Sequence, residues 1–141
     1  MKTQQNEAIS FYQNIGKLFY AIAASDNKIN EVEYNTLKSI VQIEWLTADA
    51  LKDNFNTDFG SLIINVFKWL NYEQEYNAKE CYNSFIGYKN MNEHLFTYDI
   101  KLLIMRTAGR IAASFSGKNK SELIMLANLN IEFNKQQKDE E

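Results

Sequence analysis

Apolar residues recur at steps of three and four along most of this chain, which is the spacing of one face of an α-helix. Residues 62–67 are apolar enough for a strand, but they do not alternate with polar residues. The pattern therefore predicts an all-α fold of roughly seven helices. The apolar stripes of the longer predicted helices are Phe11, Ile15, Leu18, Phe19 and Ile22; Leu37, Ile40, Val41 and Trp45; Phe59, Leu62, Ile63, Val66, Phe67 and Leu70; Tyr82, Phe85 and Ile86; Ile100, Leu103, Ile104, Ile111 and Ala112; and Leu123, Leu126, Ala127 and Phe133.

Polar residues that cap helices mark where these segments begin. Asn30 is followed three positions later by Glu33, a spacing that lets each side chain accept the other residue's backbone N–H in a capping box. Asn77 and Glu80 repeat this pattern at the start of another helix. The first helix is predicted to cover residues 6–24. Thr47 is predicted to begin a short helix toward Phe55, and Thr57 or Asp58 the helix after it. A loop at 72–76 separates that helix from the one that begins at Asn77. Thr97 is predicted to begin the next helix, and Asn119 with Glu122 the last.

The sequence around the first turn returns near the end of the chain. A shift of 89 positions places residues 22–25, Ile-Ala-Ala-Ser, over the identical residues 111–114. Asn30 then lies over Asn119 and Glu33 over Glu122. The repeat predicts two pseudo-symmetric halves, each built on a helical hairpin. Gly109, in the second half, is expected to let a neighbouring backbone approach closely.

Residues 23–33 resemble the signature of the TerB-like family, which contains the tellurite-resistance protein TerB and its relatives. The family pattern is Ala-x-x-Asp-Gly-x-Ile-x-x-x-Glu, and this chain departs from it with Asn27 in place of glycine. In the second copy, Phe115 replaces the acidic residue and Lys118 the isoleucine. The matching residues are Ala23, Asp26, Ile29 and Glu33.

This resemblance implies a TerB-like helical bundle with two pseudo-symmetric halves. For function it implies a stress-response or tellurite-resistance setting, divalent-metal binding and a role as a protein-interaction module. It implies no enzymatic activity.

Three carboxylates near the first turn are candidate ligands for a divalent cation such as Ca²⁺ or Mn²⁺. Asp26, Glu31 and Glu33 fall within one turn and the following helix start, and hard cations are held by several oxygen atoms. The EF-hand pattern fails, because Lys28 occupies an early ligand position. A structural interpretation competes: Asp26 accepts hydrogen bonds from the loop, and Glu33 completes the cap with Asn30. The sequence favours the structural interpretation.

Composition bounds the remaining possibilities. The 141 residues carry a net charge of −3, which argues against a general nucleic-acid binder. The apolar runs are too short to cross a bilayer, so a cytoplasmic protein is expected. Residues 1–134 are predicted to form one domain, and residues 135–141 a charged, flexible tail. No Cys/His cluster suggests a zinc site or another cofactor.

Catalytic chemistry finds little support in the sequence. His94 stands beside Glu93 with no identifiable nucleophile, and Cys81 is expected to be a partly buried thiol. We therefore predict a non-enzymatic module that binds a protein partner or forms a homodimer. The alternative is a small-ligand carrier or enzyme with a pocket between the halves, which a cleft lined by Asp26, Glu33 and His94 would favour. The candidate surface tyrosines for a partner are Tyr72, Tyr76, Tyr88 and Tyr98.

Overall fold

The computed structural model describes residues 2–25, 29–46, 59–73, 77–115 and 120–135. Within these ranges the chain forms α-helices and one short 3-10 helix and contains no strand, so the predicted all-α class is confirmed. The predicted helix from Thr47 toward Phe55 lies outside the described residues. The helices are α1 (Lys2–Ala23), α2 (Glu31–Leu46), α3 (Phe59–Glu73), α4 (Ala78–Met91), α5 (Tyr98–Phe115) and α6 (Lys120–Phe133), with the 3-10 helix at Glu93–Leu95.

The helix bounds differ little from those expected. Helix α1 begins four residues before the predicted start at Asn6, and α3 continues to Glu73, so Tyr72 is helical and not part of a loop. None of the helices in the described ranges combines the length and apolar character needed to cross a membrane.

Helix α1 is the centre of the fold and contacts each of the other five α-helices. With 22 residues it is about 33 Å long, enough to span a small domain. Its side chains Ile15, Leu18, Phe19 and Ile22 are completely buried. The predicted stripe is therefore confirmed, although Tyr12, Tyr20 and Ala21 are buried as well and widen it.

Aromatic rings join the elements at one end of α1. Phe96, between the 3-10 helix and α5, meets Phe11 of α1 with ring centroids 5.3 Å apart and Phe85 of α4 at 5.7 Å. Phe133 of α6 lies 6.4 Å from Phe96. Farther along α1, Trp45 of α2 packs edge-on against Phe19 at 5.7 Å. Except for the tilted pair of Phe96 and Phe133, these are edge-to-face contacts, which suit the charge distribution of aromatic rings.

The close helix approach occurs at Gly16 and not at Gly109. A Cβ atom added to Gly16 would lie 3.1 Å from both the Ile63 carbonyl oxygen and the Val66 Cβ atom of α3. At Gly109 it would meet no described atom within 4 Å. The prediction for Gly109 is therefore wrong, because a glycine in a helix reveals nothing about which face its neighbour approaches.

The predicted helix caps are present wherever the structure describes them. Asn30 N–H donates to Glu33 Oε1 at 3.0 Å, and Glu33 N–H donates to Asn30 Oδ1 at 2.7 Å, which confirms the capping box. Asn77 Oδ1 accepts from Glu80 N–H at 2.7 Å. Thr97 Oγ1 accepts from Ile100 N–H, as expected for α5. Asn119 lies outside the described residues, as does the side chain of Glu122.

The predicted inward stripe of α6 is partly wrong. Phe133 is buried and Leu126 is partly buried, but Leu123 is half exposed and Ala127 is exposed. Leu129, which the predicted stripe omitted, is completely buried. Apolar residues surround this helix, so their spacing alone could not select the face that packs.

Candidate functional site

Helices α5 and α6 form an antiparallel hairpin on the surface. They are joined by residues 116–119, and the start of α5 lies beside the end of α6. There Lys101 Nζ donates to the Phe133 carbonyl oxygen at 3.3 Å and lies 5.9 Å from the centre of the Phe133 ring. A lysine at the last carbonyls of a helix complements the negative end of the helix dipole.

Helix α6 contains nine consecutive residues, 123–131, without a charged side chain. Leu129 faces the core, whereas Ile124 and Ile131 are 60% and 58% exposed on the opposite side. Ala127 lies between them at helical spacing and is also exposed. A surface helix of a monomeric protein ordinarily carries charged residues on its outer face. The outer face of α6 is therefore unusual for a surface in contact with water.

Helix α5 carries a second uncharged stripe on its exposed side. Tyr98 is 74% exposed and Leu102 51% exposed, and Gly109 and Ala113 continue the stripe at steps of seven and four. Lys101 of the same helix reaches α6, whereas Arg106 and Arg110 reach α2. By its position around the helix, the stripe lies between the side of α5 that reaches α6 and the side that reaches α2. The α5–α6 apolar face consists of Tyr98, Leu102, Gly109, Ala113, Leu123, Ile124, Ala127 and Ile131.

Two arginines of α5 share one carboxylate of α2. Arg106 Nε donates to Glu44 Oε1 at 2.9 Å, and Arg110 Nη1 donates to Glu44 Oε2 at 2.6 Å. The Glu44 side chain is only 11% exposed. The hydrogen bond from Arg110, supported by the one from Arg106, lowers the pKa of Glu44 although burial opposes the shift. This cluster fastens α2 to α5.

We expect Glu44→Gln to lower the free energy of unfolding at pH 7 by about 1 kcal/mol, because the arginines lose their shared charge partner. The lowered pKa means that ionised Glu44 stabilises the fold above the unfolded-state pKa. This contribution is lost as the pH falls through the folded-state value. Urea unfolding at pH 7 and pH 3 should therefore show a gap between wild type and variant that closes in acid. An equal gap at both pH values would contradict the role of charge.

A groove of about 470 Å³ runs between α2 and α5 beside this cluster. Its walls include the exposed apolar side chains Val32 and Ile43 of α2. Arg110 and Ser114 line it from α5, and Ser39 from α2. The groove thus combines aliphatic surface with a guanidinium, an amide and three hydroxyl groups, a mixture typical of ligand clefts.

A polar cluster secures the end of α6 against α4. Lys89 is only 2% exposed; its Nζ atom donates to the Glu132 carbonyl oxygen and pairs with Glu93, each at 3.1 Å. Burial, reinforced by the negative charge of Glu132, raises the pKa of Tyr82 to about 12. The Tyr82 hydroxyl therefore stays protonated at neutral pH. The bond from Lys89 to the Glu132 carbonyl oxygen holds the end of α6 against α4 and leaves the opposite face of α6 available.

The predicted cation ligands are not brought together among the described residues. Asp26 lies outside them, Glu31 is exposed in the first turn of α2, and the Glu33 carboxylate bonds to the N-cap. No group of three His, Cys, Asp or Glu side chains suited to a metal occurs in the described part of the chain. The cation at Asp26, Glu31 and Glu33 stays a prediction.

Of the two candidate reactive residues, His94 is far from that turn and Cys81 is a buried thiol. His94 Nε2 lies 3.4 Å from Glu7 Oε2 near the start of α1, about 24 Å along the helix from its end at Ala23. Cys81 is buried more deeply than expected, and this burial raises the pKa of its thiol. A raised pKa keeps the thiol protonated, which is the opposite of what a nucleophilic cysteine requires.

The predicted tyrosine patch is only partly present. Tyr98 is exposed and belongs to the α5–α6 apolar face, whereas Tyr88 is half-buried with its ring 6.3 Å from Phe96. Tyr76 and the side chain of Tyr72 lie outside the described residues. Sequence reasoning missed Ile124 and Ile131; the signal that could have found them is the uncharged run at 123–131.

No protein-family model matches this chain, and neither the curated proteins nor the solved structures contain a significant match, so the family suggested by residues 23–33 remains a prediction.

Proposed function

We propose that this protein is a non-enzymatic protein-interaction module whose binding surface is the α5–α6 apolar face. The observation that carries the proposal is the uncharged outer face of α6, where Ile124 and Ile131 are more than half exposed. Exposed large apolar side chains grouped on neighbouring helices are typical of sites of protein interaction. Burying one large aliphatic side chain contributes about 1.5–3 kcal/mol, so Leu102, Ile124 and Ile131 together can anchor a partner.

The partner expected on this face is an apolar surface, such as one side of an amphipathic helix. No charged side chain stands between Leu123 and Ile131, so the centre of the interface requires no ion pair across it. Arg106, on the side of α5 toward α2, is 64% exposed at its side chain and forms a basic edge. Apolar centres with polar edges are usual in protein interfaces.

We include in this proposal that the module is of the TerB-like, tellurite-resistance type and that it is located in the cytoplasm.

The burial of residues paired by the 89-position shift supports two related halves, because the paired residues share their burial in the first helix of each hairpin. Ile22 and Ile111 are both completely buried, and so are Ile15 and Ile104. Ala23 is likewise buried in the first half. The second helices match less well, because Leu37 is completely buried and Leu126 only partly.

A small-ligand carrier is the second candidate function, and the groove between α2 and α5 favours it. The groove lies between the two hairpins, which is where a pocket between the halves was expected. Its lining differs from the expected Asp26, Glu33 and His94. His94 instead contacts Glu7 near the opposite end of α1.

We expect Ile124→Lys combined with Ile131→Lys to abolish partner binding while the protein still folds, because both side chains are exposed. Quantitative affinity purification from the native cell measures the proteins retained by wild type and variant. The matched control is Met91→Lys on α4, a residue that is 84% exposed and lies outside the face. A partner should be retained by the wild type and the control but reduced at least tenfold by the double variant.

The same variants decide whether the partner is a second copy of this chain. If sedimentation velocity shows a dimer that only the α6 variant dissociates, the face is a homodimer interface. If the double variant retains the same proteins as the wild type and self-associates to the same extent, the proposed function is wrong.

A divalent cation is a separable part of the prediction. Calorimetric titration with Ca²⁺ and with Mn²⁺, using Asp26→Asn as the control, tests it directly. Heat that the wild type shows and the variant lacks would assign the turn to metal binding. We expect no such heat, because the Glu33 carboxylate already serves the cap of α2.

A further inference from the structure

The groove between α2 and α5 has one charged residue among its described lining residues, and that residue is cationic. Arg110 lies at this position with its side chain 45% exposed. The Ser39 and Ser114 residues, both exposed, add hydroxyl groups. The Thr36 hydroxyl also lines the groove but donates to the Val32 carbonyl oxygen. The polar part of the groove is therefore suited to an anion.

Among the described residues beside the groove, the Glu44 cluster carries more positive than negative charge. Glu44 supplies one carboxylate to two guanidinium groups, those of Arg106 and Arg110. A guanidinium has five N–H donors, and the bond from Arg110 to Glu44 uses Nη1. A second carboxylate at Arg110 would neutralise the excess charge and accept hydrogen bonds from the remaining donors.

Aliphatic side chains line the same groove as this cation, and Ile43 is next to Glu44, to which Arg110 bonds. Val32 is 74% exposed and Ile43 58% exposed, and both line the groove with the buried Ile40. A phosphate or sulfate would satisfy Arg110 but leave the aliphatic wall in contact with water. A ligand that matches both parts carries a carboxylate next to an aliphatic group, as does the last residue of a polypeptide that ends in leucine, isoleucine or valine.

We propose that the groove between α2 and α5 binds the C-terminal carboxylate of a partner polypeptide whose last residue is aliphatic. Arg110 and the hydroxyls of Ser39 and Ser114 hold the carboxylate, and Ile43 contacts the terminal side chain. Val32 lies about 16 Å away along α2 and is left for preceding residues of the partner. A volume of about 470 Å³ is within the range of ligand clefts and is open to a chain that continues into solvent. This site is distinct from the α5–α6 apolar face and does not depend on it.

The test uses an acetylated tetrapeptide of alanine and leucine that ends in leucine with a free carboxylate, titrated into the full chain by calorimetry or NMR. The same peptide with a C-terminal amide lacks the charge, and free 4-methylpentanoate supplies the carboxylate without a peptide. We expect the free-carboxylate peptide to bind at least tenfold more tightly than the amide, because the charge-assisted hydrogen bonds to Arg110 are lost.

Arg110→Gln and Arg106→Gln form a matched pair of variants. Each removes one guanidinium from Glu44, but only Arg110 lines the groove. Arg110→Gln should weaken peptide binding about tenfold, and Arg106→Gln should weaken it clearly less, because it removes the excess charge but no donor that lines the groove. Arg110→Lys should give an intermediate loss. Circular dichroism melting shows whether each variant is folded at the titration temperature.

Three outcomes would overturn the proposal. Equal affinity for the carboxylate and amide peptides would exclude recognition of the chain end. Equal weakening by the two arginine variants would assign the effect to the Glu44 cluster and not to the groove. Binding of 4-methylpentanoate without binding of the peptide would make the occupant a small acid. None of these outcomes bears on the α5–α6 apolar face, which the lysine variants of α6 test separately.

Discussion

Gly16→Leu is expected to destabilise the protein by about 3 kcal/mol, because the added side chain has no space between α1 and α3. The Cβ atom alone would lie 3.1 Å from the Ile63 carbonyl oxygen and 3.3 Å from the Val66 Cγ1 atom. Val66 can turn slightly, but the carbonyl of Ile63 is fixed within its helix. The rest of the leucine side chain would force the two helices apart, and overpacking of this kind typically costs about 1–3 kcal/mol. Urea unfolding monitored by circular dichroism measures the loss.

Gly109→Ala is the matched control, since both glycines lie inside long helices. At Gly109 an added Cβ meets no described atom within 4 Å, so only the helix propensity changes. Alanine should therefore stabilise the protein by about 0.8–1 kcal/mol. A Gly16→Leu variant as stable as the wild type would show that α1 and α3 do not pack this closely.

Local rules were sufficient to predict most helices and their starts. The stripe from Phe11 to Ile22 is buried because α1 is surrounded, so any periodic apolar face on it finds a neighbour. The cap at Asn30 was predictable because both hydrogen bonds connect residues only three positions apart. Interactions of such short range depend little on how the remaining chain folds.

Long-range packing was not predictable from these rules. Gly16 and Gly109 have similar sequence surroundings, and only the position of α3 distinguishes them. Phe96 is near polar residues in the sequence, yet it contacts the rings of Phe11 and Phe85. Its burial depends on helices brought together from distant parts of the chain.

The candidate site illustrates the same limit. The carboxylates at 26, 31 and 33 are candidate ligands because they are close in sequence, but the Glu33 side chain bonds to the N-cap in the structure. Helix α6 has apolar residues on every side, so their periodicity does not distinguish Leu129, which is buried, from Ile131, which is exposed. Which face packs depends on α1 and α5, so a surface can be identified only after the fold is known.

Thr107→Val is expected to lower the free energy of unfolding by about 1–3 kcal/mol. The completely buried Thr107 accepts from the Trp45 indole, with Nε1 to Oγ1 at 2.8 Å. The same hydroxyl donates to the Leu103 carbonyl oxygen, also at 2.8 Å. Valine has nearly the same shape, so packing changes little, but the buried indole N–H loses its acceptor. Urea unfolding followed by tryptophan fluorescence measures the loss.

A double-mutant cycle with Trp45→Phe separates this hydrogen bond from changes in packing. Phenylalanine has no N–H group, so Thr107→Val in that background should cost clearly less than in the wild type. The remaining cost reflects the bond from Thr107 to the Leu103 carbonyl oxygen, which both backgrounds lose. If Thr107→Val costs the same in both backgrounds, the link between Trp45 of α2 and Thr107 of α5 contributes nothing. The contact between these helices would then depend on apolar packing and the Glu44 cluster alone. Glu44→Gln would in that case remove a larger share of the free energy that holds α2 against α5.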